Sequence, residues 1–76
     1  MKDILLSMAR LLAEHPADVQ LVELTGDNTS IYEFRCHADD VGKIIGKNGK
    51  TIAAMRTLAG AVAQKAGKRA VLEVIQ

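Results

Sequence analysis

The chain is short of cysteine, aromatic rings and long apolar runs, and each shortage closes off a class of function. Its lone cysteine, Cys36, leaves no internal disulfide and no zinc site built on several thiolates. Histidine is nearly as scarce: His15 and His37 stand 22 positions apart, outside any metal-ligand spacing such as HxxxH. No metal site and no cofactor are therefore expected. No apolar run approaches the roughly 20 residues a membrane span needs. Charge begins at Lys2 and Asp3, too early for the apolar stretch of a secretory leader. A cytoplasmic location and no membrane partner follow as expectations.

Residues 41 to 72 lack acidic side chains altogether. That segment holds Lys43, Lys47, Lys50, Arg56, Lys65, Lys68 and Arg69, whereas residues 1 to 40 hold eight acids against Lys2, Arg10 and Arg35. The formal net charge of +1 conceals this segregation, and an acid-free basic stretch is an electrostatic footprint for a phosphate-bearing partner. With 76 residues the chain is expected to be one domain, 1–76, near the lower size at which a core suffices without disulfides or metal.

Periodicity then divides the chain. Ile4, Leu5, Met8, Leu11 and Leu12 recur at helical spacing, with Asp3 favouring the start and His15-Pro16 closing the pattern. Val19 to Thr25 and Ile31 to His37 are β-favouring runs separated by turn chemistry at Gly26-Asp27-Asn28-Thr29, an antiparallel hairpin. Asp39 or Asp40 stands where it can cap a short helix over Val41 to Ile45. Gly46 to Gly49 breaks that helix. A longer one takes Thr51 to Ala66, with Ile52, Met55, Leu58, Ala59, Val62 and Ala66 on its core stripe and Gly67 as its stop. Ala70 to Ile75 closes the chain as a strand that returns parallel to the second strand of the hairpin. The expected fold is α+β, in the order α-β-β-α-α-β, with a three-stranded mixed sheet covered by helices on one face.

The stretch GKIIGKNGKTI, Gly42 to Ile52, carries the function. Gly49-Lys50-Thr51 looks like the end of a P-loop, but that pattern needs its first glycine five positions earlier, where Ile44 stands. The loop is too short to wrap a triphosphate, and so small a domain has no room for the sheet that carries the magnesium-binding carboxylate. Ser7 and Ser30 have no histidine pattern nearby, and Asp39-Asp40 reads as a cap. No catalytic constellation is present, and an enzyme is not expected. A helix-GxxG-helix remains, in which Gly46 and Gly49 let a ligand phosphate approach the backbone and the amides of the next helix donate to it.

VGKIIGKNGKTI, residues 41 to 52, resembles the signature of the KH domain, whose GxxG loop clamps about four nucleotides of single-stranded RNA or DNA. The element order resembles the bacterial type II arrangement over the whole chain. With its HPADV, DDVGKIIGKNGKTI and GKRAVLEV segments, the sequence is similar to the small stand-alone bacterial KH proteins of the KhpA family. The resemblance implies a groove between paired helices and sheet, with Gly42, Lys43, Gly46, Lys47, Asn48 and Gly49 on the sugar-phosphate backbone. Ile45 and Ile52 would form an apolar floor under the bases, and Arg56 would reach a base edge or phosphate. Lys65, Lys68 and Arg69 would form a peripheral basic rim.

The resemblance also implies a non-catalytic single-strand binder acting as an RNA chaperone or post-transcriptional regulator, with single-stranded DNA as the other nucleic-acid ligand. Only Tyr32 and Phe34 are aromatic, and their alternation suits a strand facing helices, which argues against base reading by exposed rings. Opposite the core stripe of the long helix lie Ala53, Ala54, Thr57, Gly60, Ala61 and Gln64, a face smooth enough to pair with another KH helix. The partner would be a second copy or a Jag-type KH protein linked to cell elongation. The competing reading is a KH-shaped interaction module with a little-used groove.

Overall fold

A computed structural model describes residues 1–75. Helix α1 spans Lys2–Leu12, strands β1 and β2 span Gln20–Thr25 and Thr29–Arg35, and helix α2 spans Val41–Ile45. Helix α3 spans Lys50–Lys65 and strand β3 spans Arg69–Ile75. Single 3-10 turns at Pro16–Asp18, Ala38–Asp40 and Lys47–Gly49 join them. The sheet runs β1-β2-β3, with β1 antiparallel and β3 parallel to β2, as the hairpin and crossover reading expects.

The register explains which side faces the helices. Leu21, Phe34 and Val74 lie abreast, and so do Glu23, Tyr32 and Leu72. Phe34 and Tyr32 are buried against Leu5 and Ala9 of α1, Ile44 of α2, and Ile52, Met55 and Ala59 of α3. Phe34 is fully buried, and its removal to alanine would cost about 3–5 kcal/mol. On the opposite side Leu24, Ile31 and Val71 form one row, with Val22, Glu33 and Glu73 in the next. Val22 and Leu24 are exposed there, so the helices cover one face.

Two apolar stripes are narrower than their periodicity suggests. On α1 only Leu5 and Ala9 are buried, and Ile4, Leu11 and Leu12 are exposed, Leu11 at 87 %. On α3 the buried line is Ile52, Met55 and Ala59, while Leu58, Val62 and Ala66 face outward. Each helix meets the sheet along one line, and among the described residues nothing packs beyond it. At the C-terminus of α3, Gly67 adopts φ 72°. The Lys68 and Gly67 N–H groups donate to Ala63 and Gln64 carbonyls at 2.9 and 3.0 Å, the paired bonds of a glycine-terminated helix.

Asp40 does not cap α2 with its side chain. Its backbone is already helical, at φ −98° and ψ −8°, whereas a capping side chain needs an extended residue. The buried carboxylate instead accepts from the Glu14 and His15 N–H groups, both at 2.9 Å. Asp40 thereby ties the chain beyond α1 to the start of α2. Burial pushes its carboxyl up, but the two N–H bonds, with His15 and Lys43 nearby, outweigh that and hold it below the ordinary range.

Candidate nucleic-acid interface

Between α2 and α3 the chain takes three residues out of ordinary helical geometry. Gly46 sits at φ 81°, ψ 168°, Asn48 at φ 57°, ψ 26°, and Gly49 at φ 72°, ψ 15°. The Gly46 conformation is essentially reserved for glycine, while asparagine tolerates the left-handed region through its short polar side chain. Space adds a second constraint at Gly46, where a Cβ would lie 2.6 Å from Thr51 Cβ and 2.8 Å from Thr51 N. Around Gly49 a Cβ would meet nothing within 4 Å. The two glycines of the motif therefore have different jobs: Gly46 allows the turn to close on Thr51, and Gly49 leaves open space above the backbone.

The turn projects into solvent. Lys47 and Asn48 are exposed, and Gly46 and Gly49 are half-buried. The Gly46 N–H donates to the Gly42 carbonyl at 2.8 Å and the Gly49 N–H to the Gly46 carbonyl at 3.0 Å. Among the described residues, the Lys47 and Asn48 N–H groups donate to no other backbone carbonyl in a turn or cap, and no side chain caps α3. Amides at such a helix start can donate to an anion.

Beside the turn lies a groove of about 490 Å³ lined by Ile45, Asn48, Gly49, Ile52, Arg56 and Val74. Ile45 and Ile52 thus share an apolar wall, as the resemblance implies, and Val74 extends it from the sheet. Val74 was not foreseen, although its place two residues beyond inward-facing Leu72 is a signal that strand alternation could have supplied. Arg56 donates from Nε and one terminal nitrogen to the Leu72 carbonyl at 3.3 and 3.2 Å. That occupies two of a guanidinium's five N–H donors, fixing the head group while the rest remain for a ligand.

Of the residues expected on the sugar-phosphate backbone, Asn48 and Gly49 line this groove, and Gly42, Lys43, Gly46 and Lys47 do not. Lys43 Nζ lies 2.8 Å from Glu14 Oε1 and 3.8 Å from Asp40 Oδ1. The bond from Lys43 holds the Glu14 carboxyl below its ordinary range, and the same bond holds the Lys43 ammonium above its own. Lys47, Lys50 and Arg56 have no ion-pair partner among the described residues. Of these three cations Arg56 lines the groove, and Lys47 and Lys50 stand at the turn beside it. Lys65, Lys68 and Arg69 stand at the far end of α3, about 22 Å along its axis from Lys50, too distant to share this seat.

Along the outer side of α3, Ala53, Ala54, Thr57, Ala61 and Gln64 are exposed and Gly60 is half-buried. Thr57 Oγ1 donates back to the Ala53 carbonyl at 3.1 Å, so its hydroxyl is turned onto the helix. Leu58 and Val62, assigned to the core by periodicity, widen this face into an apolar one.

A helix and strand leading into a short helix, a bare two-glycine turn and a long helix, all on a three-stranded mixed sheet, define a KH domain of the type II arrangement. A family model described as the KH domain of KhpA/KhpB matches residues 2–74, and the chain belongs to that family. It is 41 % identical over 75 residues to RNA-binding protein KhpA of Clostridium acetobutylicum, covering 99 % of this chain and all of the relative. Over 76 residues it is 42 % identical to RNA-binding protein KhpA of Chlamydia trachomatis and 37 % identical to that of Aquifex aeolicus. Those alignments cover all of this chain and 97 % and 96 % of the relatives. No solved structure matches the chain significantly. Among the described residues, no helix is long and apolar enough to cross a membrane.

Proposed function

We propose that this protein is a non-catalytic binder of single-stranded RNA, its strand lying along the turn from Gly46 to Gly49. The carrying observation is the solvent-facing Lys47-Asn48 tip, at a helix start, beside an apolar groove. Phosphates seat on the tip, with Lys47 and Lys50 supplying charge, while Ile45, Ile52 and Val74 pack under the bases and Arg56 meets a base edge or phosphate. The relatives named RNA-binding proteins support RNA over DNA as the ligand. Gly42 contributes through helix geometry and Lys43 by anchoring α2 to Glu14, neither by touching the strand.

Three or four phosphate contacts correspond to a log-log salt slope of about −2 to −3, at about −0.7 per contact for single strands. One such groove reads few bases, so useful affinity calls for a second module nearby. The exposed apolar side of α3 supports pairing with another KH helix, in a homodimer or with a second KH protein. In that form the protein serves in the cytoplasm as an RNA chaperone or post-transcriptional regulator. Leu58 and Val62 on that face also favour the second reading, a pairing module whose groove is little used.

Lys47→Asp with Asn48→Asp separates the two by putting negative charge on exposed positions at the phosphate seat. The folded double variant is expected to lose crosslinking to cellular RNA and to keep its oligomeric state. Crosslinking at the wild-type level would reject the groove as the RNA site.

A further inference from the structure

We infer that His15, His37 and Asp39 form a site for a borderline divalent metal ion of the zinc(II) class, outside the nucleic-acid groove. Sequence distance hides the grouping, but folding stacks the two imidazoles with ring centroids 4.0 Å apart. One ligand atom from each of the three residues falls within 4.8 Å of the others. His15 Nε2 lies 3.9 Å and His37 Nδ1 lies 3.6 Å from the same Asp39 carboxylate oxygen. A tetrahedral zinc site, with ligand bonds of about 2.0–2.1 Å, separates its ligand atoms by about 3.3–3.5 Å. The group therefore needs contractions of up to about 1.5 Å, together with a splaying of the two stacked rings.

The backbone beneath these side chains is held. Asp40, buried, fixes the His15 N–H from below at 2.9 Å, and His37 and Asp39 bracket the turn that ends in Asp40. The Asp39 N–H donates to His37 Nδ1 at 3.0 Å. That nitrogen is thus the unprotonated one, and its lone pair is spent on the Asp39 N–H, a bond that a metal would replace. In the stack the two rings are nearly parallel, with 23° between their planes, so their lone pairs converge only when the rings splay. The side chains of His15, His37 and Asp39 are 42 %, 40 % and 70 % exposed, and that motion exchanges the ring stack and the Asp39 N–H bond for metal ligation. Glu14, Asp39 and Asp40 outnumber the single cation Lys43 here, a local charge that favours a cation. Three protein ligands leave the remaining position to water. Bound metal would clip the exit of α1 to the entry of α2.

The test uses the untagged full chain, stripped with chelator, titrated with Zn²⁺ by calorimetry and with Co²⁺ by visible absorption. One equivalent should bind, with affinity falling on acidification, because ligand nitrogens must be unprotonated. The melting temperature should rise by about 10 °C at a hundredfold excess of free Zn²⁺ over Kd. The ring resonances of His15 and His37 should shift together. His15→Ala and His37→Ala should each weaken binding at least about tenfold, Asp39→Asn should weaken it less, and Cys36→Ser should leave it unchanged. Circular dichroism checks each fold, and His37→Ala with Asp39→Asn decides the matter if His15→Ala unfolds. Absence of saturable binding up to about 1 mM Zn²⁺, or full binding in the folded histidine variants, overturns the assignment.

Discussion

Gly46→Ala and Gly49→Ala, two substitutions in one motif, should behave differently. At Gly46 the alanine must hold φ 81°, ψ 168°, a region costing about 1–3 kcal/mol for a residue with a Cβ. It must also displace Thr51, whose backbone N lies 2.8 Å from the new atom. A backbone atom at a helix start cannot rotate away, so the turn must reopen, and overpacking adds about 1–3 kcal/mol. The total, about 2–6 kcal/mol, compares with an expected global stability of about 4–11 kcal/mol for a chain of this length. At Gly49 the conformation is ordinary left-handed and the space is empty, so alanine costs only about 1–2 kcal/mol. Urea unfolding at matched m-values should thus place Gly46→Ala lower, with Gly49→Ala losing about 5–15 °C of melting temperature. Binding should follow another order. The Gly49 methyl occupies the space assigned to the phosphate, so folded Gly49→Ala should lose single-stranded RNA affinity beyond its stability loss. Equal stabilities for the two variants would refute the Thr51 argument, and an unchanged affinity in Gly49→Ala would remove the phosphate from that space.

Two further perturbations test other parts of the structure. Asp40 and Glu14 both titrate below their ordinary values in the folded chain, so their stabilisation is complete above the unfolded-state values and is lost as pH falls through the folded ones. As pH drops, stability should therefore begin to fall near the ordinary Glu value of 4.5 and go on falling below the ordinary Asp value of 3.8. Asp40→Asn, which weakens the hold on the Glu14 and His15 N–H groups, should lower the neutral-pH melting temperature by about 10 °C and flatten that acid limb. Ala61→Glu, on the exposed side of α3, should leave the monomer's stability within about 0.5 kcal/mol while shifting the sedimentation profile to a smaller species; an unaltered profile with wild-type self-association would exclude this face as the pairing surface.

Periodicity carried the element order because each element has a local cause: Pro16 ends one helical pattern, Gly67 ends another, and Tyr32 and Phe34 alternate inward on β2. The GxxG turn was legible for the same reason, since Gly46, Asn48 and Gly49 answer backbone demands that reach no further than Thr51. Periodicity failed where burial depends on what lies across from a helix. Leu58 and Val62 have the same character as Ile52 and Met55, yet only the latter meet the sheet. It failed again wherever a side chain answers a distant backbone. Asp40 is 25 residues from His15, and Lys43 spends its charge on Glu14, so Lys43, expected on the sugar-phosphate backbone, is not a free cation. The same long-range closure brings His15 against His37. The polar junction between α1 and α2 is therefore a product of the fold: Glu14 and Asp40 of the first half hold the first lysine of the second there, leaving Lys47 and Lys50 at the turn and Arg56 in the groove as the cations without an ion-pair partner among the described residues nearby.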